Sequence, residues 1–264
     1  MDEELLTRID NHVGVVTLNR PALYNALNPS LLEKLPVVLT ELANNSDVGC
    51  VVITGAGKAF CSGGDVNVQV AEAAHATKSS EDRMAELRSW VEAARLLHEM
   101  PKPTIAMVNG VAAGAGMSMA LACDMRIAGR SARMTTAFAK VGFPGDYGGH
   151  YFLRRLVGTA KARELYFTCE ILDSAAIERL GLANKVVADE DLARETMDLA
   201  TKLGNGPRVA WRYMKQNMKV AENGTLADVL DSECFGIRRC RETEDHKEAA
   251  IAFKEKRAPV FKGR

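Results

Sequence analysis

Two segments of this chain repeat one local pattern, an apolar strand followed by a glycine-rich turn and then by small residues. The first covers residues 49–65 (GCVVITGAGKAFCSGGD) and the second covers residues 104–116 (TIAMVNGVAAGAG). A buried strand that leads through a glycine turn into a helix is the unit from which parallel sheets are built. Because sites in such sheets lie at the carboxyl ends of the strands, we expect the two glycine loops to lie close together.

Charge and cysteine usage narrow the classes of partner. Lys plus Arg and Asp plus Glu each count 34, so no net field draws the chain to nucleic acid or to an anionic membrane. The six cysteines form no CxxC pair and no Cys/His cluster, which disfavours zinc and is typical of reduced thiols in the cytoplasm. The acidic start lacks the apolar region of a secretory signal, and no apolar stretch approaches the ~20 residues of a membrane helix. We therefore expect a cytoplasmic protein with no metal, no nucleic-acid partner and no membrane partner.

The two glycine loops have a structural and a chemical interpretation. Their glycines could serve only to allow positive φ or close packing. Alternatively, backbone N–H groups at helix starts could bind a carbonyl oxygen as it becomes an oxyanion. Neither loop carries G-x-x-x-x-G-K-[ST] or G-x-G-x-x-G, so nucleotide hydrolysis and dinucleotide redox chemistry are disfavoured.

A serine-hydrolase pattern occurs directly after the second loop. Residues 116–120 (GMSMA) come close to the G-x-S-x-G elbow, and Asp146 with His150 or His246 follow in the order of an α/β-hydrolase. However, the last Gly is replaced by Ala, and the preceding strand ends well before the motif instead of running into it. We expect Ser118 to be a small residue on a packed helix.

Asp146 lies in FPGDYGGH, after a Pro-Gly turn and just before a helical stretch. It could be a helix N-cap. It could also be a general base whose pKa is raised by the apolar neighbours Phe143, Pro144 and Tyr147. We interpret His150, which falls inside the helical stretch, as structural.

Five segments together resemble the crotonase family of enoyl-CoA hydratases and isomerases. They are NRP-x-x-x-NAL at 19–27, KAFCSGGD at 58–65, KP-x-IA-x-VNG-x-A-x-G-x-G at 102–116, CD-x-R-IA at 123–128, and AF-x-EKR-x-P-x-F at 252–261. They span nearly the whole chain in the family's order. The resemblance implies an α/β crotonase-like core of ββα repeats over residues 1–200. It also implies a helical region over 201–264 that packs on a neighbouring subunit in a homotrimer or hexamer.

The resemblance also implies the site residues and the substrate. Gly64 and Ala115 would donate two backbone N–H groups to the oxygen of an acyl thioester. The substrate would be a coenzyme A thioester, with no separate cofactor. The implied substrate-binding residues are Gly64, Asp65, Val66, Asn67, Ala115, Phe253 and Lys256. For the adenosine phosphates the best basic patch is Lys254, Lys256 and Arg257, because the aromatic Phe253 lies beside them.

The chain departs from the family's hydratases at both of their catalytic glutamates. Ser118 and Phe138 stand at those places, and neither can move a proton. The remaining acid is Asp146, whose G-x-x-x-D-x-G position resembles that of the catalytic aspartate in some family isomerases, including ring-isomerising enzymes of aromatic-acid degradation, and of the nucleophilic aspartate in aroyl-CoA dehalogenases. The prediction is an enoyl-CoA isomerase in which Asp146 is the catalytic base, beside Gly64 and Ala115 in the oxyanion hole.

Alternatives remain open at this point. Within enzymes they are an enoyl-CoA hydratase and an acyl-CoA thioester hydrolase; outside that group they are a weakly catalytic CoA-ester- or RNA-binding protein and a serine hydrolase. The acyl group is not predicted. By analogy, residues 66–90 border the acyl pocket, with candidates Val70, His75, Met84, Leu87 and Trp90.

Overall fold

The strands form two sheets of different size in the computed structural model, which describes residues 3–68 and 78–264. The strands are β1 Leu5–Asp10, β2 Val13–Leu18, β3 Cys50–Gly55, β4 Ala59–Cys61, β5 Thr104–Val108, β6 Val111–Ala113, β7 Met125–Gly129, β8 Arg133–Thr135 and β9 Lys185–Val187. The larger sheet has the order β1-β2-β3-β5-β7-β9 and the smaller has β4-β6-β8. Apart from the antiparallel pair β1–β2, the strand pairs within these sheets are parallel.

The helices surround these sheets and dominate the carboxyl-terminal third. They are α1 Pro29–Asn44, α2 Ser80–Trp90, α3 Glu92–Glu99, α4 Ala115–Ala122, α5 Gly149–Thr168, α6 Ser174–Arg179, α7 Leu192–Gly204, α8 Arg208–Asn223, α9 Leu226–Cys240 and α10 Glu244–Glu255. None of the helices that the structure describes is long and apolar enough to cross a membrane.

A ββα repeat connects the two sheets. In β3–β4, β5–β6 and β7–β8 the first strand joins the large sheet and the second joins the small one. The turns within the pairs therefore lie at the carboxyl edge of the large sheet, and the loops after the pairs lie together at the carboxyl edge of the small sheet. This arrangement brings the two glycine loops together, as the strand-end rule predicts.

The strands β2, β3 and β5 of the large sheet are buried on both faces. Val16 and Ile53 point into the main core under α1, whereas Val15 and Val52 point to a second core. α7 covers that second face and contributes Ala200 to it. The predicted boundary at residue 200 thus falls inside a helix that packs on the sheet. We propose that the core extends to the end of α7, because Leu192 and Ala200 of that helix pack on the large sheet. No change of composition in the sequence marks this end.

Two ion pairs are among the contacts that join the helix α8 to the rest of the chain. Lys215 Nζ lies 2.7 Å from Asp124 Oδ2, and Lys219 Nζ lies 2.9 Å from Glu99 Oε2. No residue of α8 is fully buried, and Met218 is 68% exposed. α8 also packs against α9, where the rings of Tyr213 and Phe235 lie 5.8 Å apart, and it leaves Met218 exposed.

Candidate active site

Two amide side chains fix the shape of the first glycine loop. Asn25, which is fully buried, donates from Nδ2 to the carbonyl of Ala59 at 2.8 Å. Asn109 donates from Nδ2 to the carbonyls of Gly55 and Gly57 at 2.8 and 2.9 Å. Buried backbone carbonyls outside a ladder need such donors. The NRP-x-x-x-NAL and VNG motifs therefore position the turn between β3 and β4.

The two glycine loops approach so closely that side chains would not fit between them. A Cβ on Gly116 would lie 2.1 Å from the carbonyl oxygen of Cys61. Gly63 has a φ of +98°, and a Cβ there would lie 3.0 Å from the carbonyl oxygen of Ala113. Only glycine permits this contact between the loops. The close approach therefore requires glycine at these positions more strictly than the turn geometry does.

The N–H groups of Gly64 and Ala115 are free to bind a ligand. Leu27 forms a parallel bridge with Gly64, bonding the carbonyl of Gly63 at 2.8 Å and the N–H of Asp65 at 2.9 Å. The N–H of Gly64 itself therefore points away from Leu27. Ala115 is the first residue of α4, and such an N–H has no partner inside its helix. In the described part of the chain, neither group donates to another protein atom.

Gly64, Ala115 and Asp146 line one cavity of about 80 Å³. Leu87 and Trp90, both predicted at the acyl pocket, also lie on its wall. Met84 does not, and its side chain is 66% exposed. The other two candidates, Val70 and His75, lie outside the described residues.

Asp146 presents an ionisable group without a partner to this cavity. Its Oδ1 is buried and has no hydrogen-bond partner in the part of the chain that the structure describes. Burial raises the pKa of the carboxyl group from 3.8 to about 6. The side chain does not cap α5, whose N-cap is Gly148 in the left-handed region. The N-cap interpretation is therefore wrong. The interpretation of Asp146 as a general base is supported by its unpartnered oxygen on the cavity wall.

The residues of the serine-hydrolase pattern are not assembled into a triad. Ser118 is buried, and its Oγ donates to the carbonyl of Gly114 at 3.2 Å. None of the histidines that the structure describes is among its hydrogen-bond partners. His150 stacks on Tyr166 with ring centroids 3.9 Å apart. Ser118 is thus a small residue on a packed helix, as predicted.

The remaining predicted residues are spread more widely. Asp65 is buried and pairs with Arg20 Nη1 at 3.1 Å, so its carboxylate is already engaged. Val66 and Asn67 follow it and are exposed. Within this single chain, neither Phe253 nor Lys256 lines the cavity.

The carboxyl-terminal basic patch is partly occupied. Arg257 pairs with Glu248 at 2.5 Å and with Glu255 at 2.7 Å. Lys256 ends α10 with a φ of 56°, and Phe253 is 86% exposed. The patch therefore presents Lys254, Lys256 and an aromatic ring to solvent, with the Arg257 charge already paired.

Comparison with known proteins identifies the family. The chain matches the family model described as enoyl-CoA hydratase/isomerase over residues 8–264. The chain belongs to the enoyl-CoA hydratase/isomerase family. It is 36% identical, over 100% of both chains, to the 1,2-epoxyphenylacetyl-CoA isomerase of Escherichia coli. It is equally identical to the short-chain-enoyl-CoA hydratase of Clostridium acetobutylicum, over 94% of this chain and 93% of that one.

The fold of this enoyl-CoA hydratase/isomerase family member is also that of solved relatives. The enoyl-CoA hydratase of Bacillus anthracis superposes with a TM-score of 0.91 at 30% identity, covering 99% of this chain and 100% of that one. The predicted crotonase fold, α/β with a helical carboxyl-terminal region, is confirmed. The names of the relatives include both isomerases and hydratases, so the family alone does not choose the reaction.

Two features of the site were not predicted as functional. Asn25 and Tyr147 both have positive φ, 56° and 49°, which is uncommon outside glycine. The NAL motif could have identified Asn25, because Asn tolerates positive φ better than most residues and this one stands before a glycine loop. Tyr147 appeared in the sequence only as an apolar neighbour of Asp146.

Among the described residues, no group of three His, Cys, Asp or Glu could hold a metal ion.

Proposed function

We propose that this enzyme is an acyl-CoA isomerase that shifts a carbon–carbon double bond, with Asp146 as the single proton carrier. The observation that carries the proposal is the unpartnered Asp146 carboxyl on the same cavity wall as Gly64 and Ala115. The substrate is a coenzyme A thioester, and the reaction needs no cofactor. The cytoplasmic location stays a prediction from cysteine usage.

The proposed reaction begins when the thioester oxygen accepts hydrogen bonds from the N–H groups of Gly64 and Ala115. Asp146 removes a proton from the α-carbon of a β,γ-unsaturated acyl group, and the electron pair of that C–H bond spreads into a dienolate. The two donors stabilise the resulting oxyanion by ~3 to 4 kcal/mol each. Asp146 then returns the proton to the γ-carbon, which leaves the double bond between the α- and β-carbons.

The charge state of Asp146 suits this role. A pKa of about 6 leaves most of the carboxyl ionised near neutral pH, yet makes it a stronger base than an ordinary aspartate. Turnover is expected to rise with pH through this value, because the protonated form cannot accept the substrate proton.

A hydratase mechanism finds less support in the site. Adding water with two carboxylates requires a second free acid. On the described cavity wall the second acid is Asp65, which is paired with Arg20. Ser118 and Phe138 provide no carboxyl group, and Phe138 is buried against Tyr166.

The decisive variant is Asp146→Asn, which keeps the shape and removes the base. Its turnover on a β,γ-unsaturated acyl-CoA should fall by ~10² or more. Ser118→Ala is the matched control and should stay within ~3-fold of wild type, because Ser118 does not line the cavity that holds Asp146. Undiminished turnover in Asp146→Asn would overturn the assignment.

Isotopes from labelled water separate isomerisation from its alternatives. An isomerase puts no solvent oxygen into the acyl product, and it places solvent deuterium on carbon only as far as the Asp146 proton exchanges with water before it is returned. Hydration or thioester hydrolysis, including attack by Asp146 itself, would place ¹⁸O in the product. Incorporation of ¹⁸O at the rate of turnover would contradict the isomerase proposal and favour those reactions.

A further inference from the structure

Tyr147 separates the acyl cavity from a second and larger space. The residue lines the cavity of about 80 Å³ that holds Asp146. It also lines a cleft of about 400 Å³ between α2, α3, the start of α5 and α8. Tyr147 is only 3% exposed, so its ring is enclosed between the two spaces.

The backbone holds this ring in place. Tyr147 has a φ of 49°, and Gly145 and Gly148 on either side have φ values of 124° and 70°. A non-glycine residue in the left-handed region is strained and persists where the surrounding structure requires it. Here two successive residues, Tyr147 and Gly148, have positive φ, and the Tyr147 side chain is buried close to Asp146.

We infer that Tyr147 sets the length of acyl chain that the enzyme accepts, and that the substrate is a short-chain acyl-CoA. This inference rests on the proposed function and names its substrate class. An apolar cavity of ~150 Å³ is known to hold benzene. The space on the Asp146 side is about half as large. A short acyl chain fits there, and a medium one would meet the Tyr147 ring.

The cleft behind the ring could receive a longer chain. Its wall includes the apolar side chains of Val91, Ala94 and Phe152. Removing the ring would join the two spaces, and additional methylene groups could then pack against these residues. Each buried methylene strengthens binding by a factor of ~4.

The ring, rather than the hydroxyl group, is the part that acts as a wall. Among the described residues, the Tyr147 hydroxyl is buried and has no hydrogen-bond partner. Tyr147→Phe therefore keeps the wall and loses no hydrogen bond, whereas Tyr147→Ala removes the wall. Tyr151→Ala is the matched control, because Tyr151 lines the cleft but does not line the acyl cavity.

The experiment measures dissociation constants for butyryl-, hexanoyl-, octanoyl- and decanoyl-CoA by calorimetry. These saturated thioesters have no double bond to shift, so the result does not depend on isomerisation. Wild type, Tyr147→Phe and Tyr151→Ala should bind butyryl-CoA at least ~10-fold more tightly than octanoyl-CoA. Tyr147→Ala should reverse the order, binding octanoyl-CoA the more tightly by ~10-fold.

Two results would overturn the inference: wild type binding octanoyl-CoA as tightly as butyryl-CoA, or Tyr147→Ala keeping the wild-type order. If Tyr147→Ala does not fold, Tyr147→Leu decides, and it should narrow the preference for butyryl-CoA. Failure of Asp146→Asn to lose turnover would reject the isomerase proposal without touching these binding ratios. Absence of acyl-CoA binding in every variant would reject both.

Discussion

Asp146 combines its proposed role as a base with an energetic penalty. A buried carboxylate without a partner is unfavourable in its charged form. The native state therefore holds the proton of Asp146 more tightly than the unfolded chain does, with a pKa of about 6 against an ordinary 3.8. Between these two values, stability contributed by the protonated group is lost as pH rises, and it stays lost above pH 6.

Asp146→Asn is accordingly expected to stabilise the protein while it inactivates the enzyme. At pH 8 the free energy of unfolding should rise by up to about 3 kcal/mol, whereas near pH 4 the gain should be much smaller, because Asp146 is then protonated in the native state. Urea unfolding at both pH values measures the difference. The exposed Asp198→Asn is the control, with a change within ~0.5 kcal/mol. Equal gains at the two pH values would contradict this account.

At the residue scale, local chemistry selects a candidate base from the sequence, and the role of that candidate stays a prediction. An acid after a Pro-Gly turn in apolar surroundings pointed to Asp146 from the sequence alone. The same pattern also fits an N-cap, and the choice depended on α5 beginning at Gly149, after two left-handed residues. The position of Tyr147 between two cavities could not be predicted from the sequence, because helices that are distant in the chain form those cavities.

At the scale of elements, the small sheet brings the two glycine loops into contact. β4 and β6 pair at Cys61 and Ala112, directly before the loops that carry Gly64 and Ala115. The strand-end rule predicted this proximity. The division into two sheets could not be inferred from periodicity, because β4, β6 and β8 have three residues each and show no alternation.

Gly116→Ala tests the contact between the loops. Its Cβ would meet the carbonyl oxygen of Cys61 at 2.1 Å, so one backbone must move. We expect a loss of ~2 to 4 kcal/mol of unfolding free energy and of most activity. In the control Gly142→Ala, φ is +75° with nothing within 4 Å, and ~1 kcal/mol should be lost with activity kept. Thermal unfolding and turnover, measured together, distinguish the two variants.

At the scale of the whole molecule, the carboxyl-terminal helices leave apolar side chains uncovered. Met218 of α8 is 68% exposed, and Leu230 and Phe235 of α9 are 50% and 56% exposed. Exposed apolar side chains in such numbers are typical of an interaction surface. They support the proposal of a homotrimer or hexamer, in which a neighbouring chain would cover them and bring Phe253 and Lys256 to a neighbouring site.

Lys256→Glu tests this arrangement. The Michaelis constant for acyl-CoA should rise ~10-fold with kcat nearly unchanged, because the lost contact to the phosphates is shared by ground and transition states. An acyl-pantetheine thioester lacks those phosphates and should be unaffected. The exposed Lys247→Glu on the same helix is the control. Equal damage to both substrates, or light scattering that shows monomers, would remove Lys256 from coenzyme A binding.

The free N–H groups of Gly64 and Ala115 have a consequence for how such a chain can diversify. A backbone donor belongs to the main chain and survives most changes of side chain. In the proposed mechanism, recognition of the thioester is therefore insulated from mutation, whereas Asp146 and Tyr147, which we propose to face the acyl group, act through single side chains. Substitutions at those two positions could redirect the reaction or the substrate range without rebuilding the anchor that holds every acyl-CoA.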